Sequence, residues 1–364
     1  MRVHESRERT PATEPEPTSH PAAPPASARD PDLEALVAAL PTSDEATRLF
    51  AQNAAHATNT ASDAGATTPA PLTTPPAPPP PRANDRILYV GMNSVKDQND
   101  REARGLGIPM RGHAGNVASA GGHVAVGHAE RDVTLGTDKV RVGERVVDLA
   151  TPEGASDFVS SLRLPPEQSK AVAKVLTDAT PGSRDELAGI AIEWAKAERG
   201  GDAPSRLVLS GHSGDGRSLY GDGHGDSRLS LDSVRALAQA MPRAASFVED
   251  VMLSACNSGF DGKNGGTGLE AWKDVFPNLR TAWGYGGRSG GANSYKSPSE
   301  QQAVMHVMAW ERATRGRTGA LNGEKAVRAF FDDARKQNPQ VNAPQVPENV
   351  SVWTVRQGYV QGRG

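Results

Sequence analysis

The sequence predicts an α/β domain, a mostly parallel central sheet covered by helices on both faces, behind a disordered N-terminal extension. Three observations carry that expectation. Short runs apolar throughout recur along the chain: RILYVGM (Arg86–Met92), RLVLS (Arg206–Ser210), DVMLSA (Asp250–Ala255) and LRTAWGY (Leu279–Tyr285). Strands buried on both faces read this way, whereas one-sided strands alternate apolar and polar residues. Helical segments alternate with these runs, the order that builds a parallel sheet. The 28 prolines are also unevenly placed, with a dense cluster before residue 86.

Residues 1–85 read as a Pro/Ala/Thr-rich extension and linker, and residues 86–364 as one folded domain. TPAPLTTPPAPPPPR (Thr68–Arg82) favours an extended polyproline conformation. LEALVAAL (Leu33–Leu40) and ATRLFAQNAA (Ala46–Ala55) suit short docking helices but carry too few apolar residues for a core. MRVHESRERT is charged, with no apolar stretch after it to make a secretory signal. No run is long enough to span a bilayer. The expected setting is cytoplasmic and away from membranes, with delivery by a dedicated secretion system left open.

Past Met92 the chain is Gly-rich to about residue 150, and HVAVGH (His123–His128) and DKVRVGERVVDL (Asp138–Leu149) suggest strands or hairpins. Pro165-Pro166 introduces a helix over Glu167–Asp178. Another covers Asp185–Arg199, where Leu187, Ile190, Ala191 and Trp194 line one face. Ser183 and Glu186 make an S-x-x-E capping box for it, and Gly200-Gly201 ends it. LSLDSVRALAQAM (Leu229–Met241) reads as a helix. Ser297-Pro298-Ser299-Glu300 starts one that runs through VMHVMAWERA. A last helix, Ala326–Lys336, and a final strand, Asn349–Val355, complete the pattern.

The net charge of −3 argues against a broad nucleic-acid footprint. Cys256 is the one cysteine, so neither an intramolecular disulfide nor a multi-cysteine metal site can form. A lone cysteine on an apolar strand is ordinarily a small buried hydrophobe. In open α/β sheets, however, ligands sit beyond the carboxyl ends of the strands. LVLSGHSGDG (Leu207–Gly216) places His212 and Ser213 there, and DVMLSACNSGF places Cys256 there. If the two strands are neighbours, imidazole and thiol can meet and the imidazole can activate the thiol. The competing reading makes Ser213 the nucleophile of an α/β-hydrolase elbow. That elbow needs G-x-S-x-G and an immediate helix, and here the last glycine is Asp215 and a Gly/Asp-rich stretch follows.

The phrases LVLSGHSG and VMLSACNSG resemble the caspase-like (clan CD) cysteine peptidases, most closely the CHAT-domain branch. In that branch a strand ends in a His-Gly turn, then a short acidic-glycine loop, a helix and a strand ending L-S-A-C-x-[ST]-G. Leu253, Ser254, Ala255, Cys256, Ser258 and Gly259 match the last phrase. The likeness is good over residues 206–316 and extends over 86–201 only by element order. It implies a three-layer sandwich and a cysteine endopeptidase that cleaves protein or peptide substrates through a thioester and needs no cofactor. His212 would be the base or imidazolium partner and Cys256 the nucleophile. Backbone N–H groups of Ser213 or Gly214 and of Cys256 would form the oxyanion hole. The family has Gly directly after the His; here Ser213 intervenes. His224-Gly225 fits the dipeptide but lacks an apolar strand before it. The resemblance also implies that the strand near Trp283 and Tyr285, with Arg288, lines the substrate site. A catalytically inactive scaffold of the same fold is the alternative, and the extension could dock an activating partner.

Two groups of side chains invite a metal reading. Asp215, Asp222 and Asp226 offer oxygen ligands for calcium, but their spacing matches no defined calcium loop. His113, His123 and His128 lack the supporting ligands of a metal centre.

Overall fold

The computed structural model describes residues 84–92, 102–108, 117–120, 123–127, 138–213, 218–220, 228–259, 268–285, 298–317, 336 and 350–361. The N-terminal extension lies outside them apart from Asn84 and Asp85, as does the expected helix Ala326–Lys336 apart from Lys336.

One eight-stranded sheet forms the centre. Its parallel core comprises β3 (His123–Gly127), β1 (Ile87–Gly91), β6 (Arg206–Ser210), β9 (Asp250–Ser254) and β10 (Thr281–Tyr285), side by side in that order. Antiparallel strands close the edges: β2 (Val117–Ala120) on β3, and β11 (Val350–Thr354) then β12 (Gly358–Gln361) beyond β10. Two small hairpins stand apart, β4 (Lys139–Val142) with β5 (Arg145–Asp148) and β7 (Ser218–Tyr220) with β8 (Arg228–Ser230).

The apolar runs are explained by what covers the sheet. Side chains alternate across a strand, and here both faces are buried. Leu88, Val90, Leu207, Leu209, Val251 and Leu253 join one core cluster. It includes residues of the helices α1 (Pro152–Ser161), α2 (Pro166–Asp178), α3 (Arg184–Glu198), α4 (Leu231–Ala240) and α5 (Pro242–Ala245). Ile87, Tyr89, Val208, Met252, Trp283 and Tyr285 belong to a second cluster with Val307 and Trp310 of α6 (Pro298–Thr314) and with Ala103, Leu106 and Ile108. The result is three layers, helix on sheet on helix, as the alternating pattern predicts. A stacked Trp272–Phe276 pair and an edge-on Trp194–Phe276 pair fill the first face.

The capping box expected at Ser183 and Glu186 does not form. Ser183 Oγ donates to the Thr180 carbonyl at 2.8 Å instead. Asp138 takes over the cap: its carboxylate accepts from the N–H groups of Gly182 (2.9 Å) and Arg184 (3.1 Å) and from the Arg184 guanidinium (2.8 Å). A buried carboxylate with a guanidinium beside it outcompetes a hydroxyl for orphan amide donors. α3 is also buried around nearly its whole girth rather than on one stripe. Gly189 permits this, since a Cβ there would lie 2.2 Å from Val126 Cγ1 on β3. The helix expected over Leu229–Met241 begins only at Leu231: Leu229 and Ser230 finish β8, and Ser230 Oγ then accepts from Ser233 N–H at 3.0 Å.

Candidate active site

The two strands singled out by sequence are neighbours. β6 and β9 run parallel, and Ser210 and Ser254 are register partners at their carboxyl ends. Gly211 N–H donates to the Ser254 carbonyl at 3.2 Å, and Met92 N–H to the Ser210 carbonyl at 2.7 Å. His212 follows Ser210 by two residues, as Cys256 follows Ser254. Neighbouring strands lie about 4.8 Å apart, so the two segments leave the sheet side by side at its carboxyl edge.

Each segment then turns in its own way. His212 pairs with Tyr220 through two backbone hydrogen bonds (2.9 and 2.8 Å), and its side chain is exposed. Gly211 is needed at this bend, because a Cβ would stand 3.0 Å from Met92 Cβ and 3.0 Å from the Tyr220 carbonyl. Ser213 is buried, and the described residues that follow it form strand β7. A serine nucleophile needs an open hydroxyl on a strand-to-helix turn, whereas Ser213 is a buried residue and the next described element is a strand.

Cys256 is half-buried. Asn257 behind it adopts φ = +55°, a left-handed conformation that Asn tolerates better than most residues. The chain folds back at once. Ser258 Oγ donates to the Leu253 carbonyl at 2.9 Å and accepts from Tyr285 N–H at 3.1 Å, and Gly259 N–H donates to the Tyr285 carbonyl at 2.8 Å. Gly259 is also confined, since a Cβ would lie 2.5 Å from Ser351 Cβ. The Ser and Gly of the L-S-A-C-N-S-G phrase thus tie the turn bearing Cys256 to both β9 and β10.

On the α6 side of the sheet lies a polar group that sequence reasoning passed over. Glu102, fully buried, accepts from Ser254 Oγ at 3.1 Å and from the Tyr89 hydroxyl at 2.9 Å. Tyr89 also engages the Ser210 side chain. Burial first, then the Glu102 charge, holds Tyr89 well above the ordinary phenol range. The same two causes push Tyr285 upward, with Cys256 adding to them. His306 of α6 packs against Tyr285 with the rings tilted 42° and their centroids 5.1 Å apart, and burial pushes its pKa down to about 3. The one sequence signal for this cluster is that both strands end in serine.

The remaining expected site residues divide. Trp283 and Tyr285 are each 1% exposed, so neither side chain is open to a ligand as the chain stands. Arg288, Gly214, His224, Asp215, Asp222, Asp226, His113 and His128 lie outside the described residues. His123 accepts a hydrogen bond from Ile87 N–H through Nδ1 at 3.0 Å, which gives it a structural partner. Among the described residues, no three His, Cys, Asp or Glu side chains gather as a metal site, and no helix is long and apolar enough to cross a membrane. Comparison with family models, curated proteins and solved structures returns no match.

Proposed function

We propose that this chain is a caspase-like cysteine endopeptidase acting through His212 and Cys256. The observation that carries the reading is the register of β6 and β9, which puts these two residues at equal offsets past paired serines on adjacent parallel strands. The local phrases around both residues support it. Imidazole and thiol brought together give a thiolate, the form that attacks carbonyl carbon.

In this reading Cys256 Sγ adds to the scissile carbonyl of a protein or peptide substrate. The resulting oxyanion accepts hydrogen bonds from backbone N–H groups of Ser213 or Gly214 and of Cys256. Collapse breaks the C–N bond, His212 gives its proton to the departing amine, and a thioester remains. Water, losing a proton to His212, hydrolyses the thioester and restores the thiol. The chemistry calls on no metal or cofactor. The N-terminal extension is the segment through which an activating partner would act, in a cytoplasmic setting.

The test is hydrolysis of a diverse peptide library. Cys256→Ala should abolish cleavage, and His212→Ala should cause nearly the same loss because the pair acts as a unit. Ser213→Ala should keep substantial activity, since only its backbone is used. Cleavage that survives Cys256→Ala and disappears in Ser213→Ala would contradict the reading.

A further inference from the structure

We propose that Glu102 is the positioning residue of the dyad, one buried carboxylate that holds the ends of β6 and β9 so that His212 and Cys256 meet. This rests on the reading of those two residues as the catalytic pair. Glu102 is 0% exposed, and each of its oxygens has a hydroxyl donor. Oε1 takes Ser254 of β9 at 3.1 Å, and Oε2 takes Tyr89 of β1 at 2.9 Å. Tyr89 in turn engages Ser210 of β6. Both serines reached by this network stand two residues before a dyad member, and they are register partners.

The placement is costly in a way that argues for a role beyond packing. A carboxylate inside an apolar layer loses its hydration and must regain it from fixed donors. An apolar side chain would fill the space without that cost. What the carboxylate adds is strong, directional bonding to a strand end, since hydrogen bonds to charged acceptors are shorter and stronger than neutral ones. The register of catalytic groups is unforgiving: a misplacement of about 1 Å can lower a rate about a hundredfold. Glu102 touches neither substrate nor thiol in this account; it acts through Ser254 and through Tyr89.

Cys256 is the one cysteine in the chain, so its alkylation by iodoacetamide is free of background thiol. The experiment measures that second-order rate at neutral pH in the full chain, with circular dichroism to verify folding. Glu102→Gln and Ser254→Ala should each slow alkylation about tenfold or more. Ser254→Thr, which keeps the hydroxyl, should restore most of the rate, and Tyr89→Phe should give an intermediate loss. In a His212→Ala background, Glu102→Gln should have no further effect, because the carboxylate acts through the pair. Folded Glu102→Gln and Ser254→Ala chains that alkylate like the wild type would overturn the proposal, as would losses of equal size with and without His212. If Glu102→Gln does not fold, the contrast between Ser254→Ala and Ser254→Thr decides. A wild-type Cys256 no more reactive than a free thiol, and indifferent to His212→Ala, would sink the dyad and this role with it. A fast, His212-dependent thiol indifferent to Glu102 and Ser254 would remove this role alone.

Discussion

Gly284 of β10 lies so close to Ser258 that a Cβ on it would stand 2.8 Å from the Ser258 hydroxyl and 3.0 Å from Gly259 N. Both contacts belong to the turn behind Cys256, so β10 acts as a template against which that turn is pressed. Gly284→Ala should therefore push the turn away and cost about 1–3 kcal/mol, the usual range for overpacking a filled core. Urea denaturation at pH 7 reads the loss. A Gly284→Ala chain as stable as the wild type would show that the turn yields freely.

The cap on α3 gives a second expectation. Asp138 and Arg184 are each about one-tenth exposed, and the carboxylate also serves two backbone donors. Asp138→Ala strands a buried guanidinium and should cost about 3–5 kcal/mol. Asp138→Asn keeps an acceptor and suits the positive φ of +60° at this position, so it should cost clearly less. Equal losses in the two variants would mean that the cap, rather than the charge, is irrelevant to stability at this site.

Acid should weaken the fold through a buried histidine. His306 has its pKa pushed down to about 3 by burial, while in the unfolded chain a histidine titrates near 6.5. Below that pH the unfolded chain binds the extra proton. The contribution is therefore fully present above about pH 6.5 and is lost as pH falls toward the folded value, by about 1.4 kcal/mol per pH unit. His123, lowered by burial and then by Arg206, acts in the same direction. Unfolding free energies between pH 7 and pH 5.5 should show a shallower slope in His306→Gln than in the wild type. Identical slopes would mean that His306 is not neutral in the fold.

Much of this structure was legible because its causes are local. Runs such as RLVLS and DVMLSA are apolar throughout because helices cover both faces of the sheet, and each ends where a Gly or Ala opens the turn. Those ends left the adjacency of β6 and β9 open; the register of Ser210 with Ser254 supplies it, and His212 and Cys256 each stand two residues past that pair. Other features depend on distant partners. Asp138 caps a helix that begins 46 residues later, which no capping pattern around Ser183 could reveal. Glu102 sits in a Gly-rich stretch without periodicity, 152 residues from the serine it binds. The place of Trp283 and Tyr285 at a substrate site is an implication of the resemblance alone, and in the fold both are buried in a cluster with Val307 and Trp310 of α6. The helix α1 carries a start signal, with Thr151 capping ahead of Pro152, but its few apolar residues left little periodicity to read.

The most direct measurement is mass-spectrometric mapping of the adduct left by a peptidyl electrophile directed at thiols. The native full-length chain should carry the adduct on Cys256, formed much faster than in the urea-unfolded chain, and His212→Ala should remove that advantage. An adduct on another residue, or a Cys256 labelled no faster in the native chain than in the unfolded one, would contradict the account.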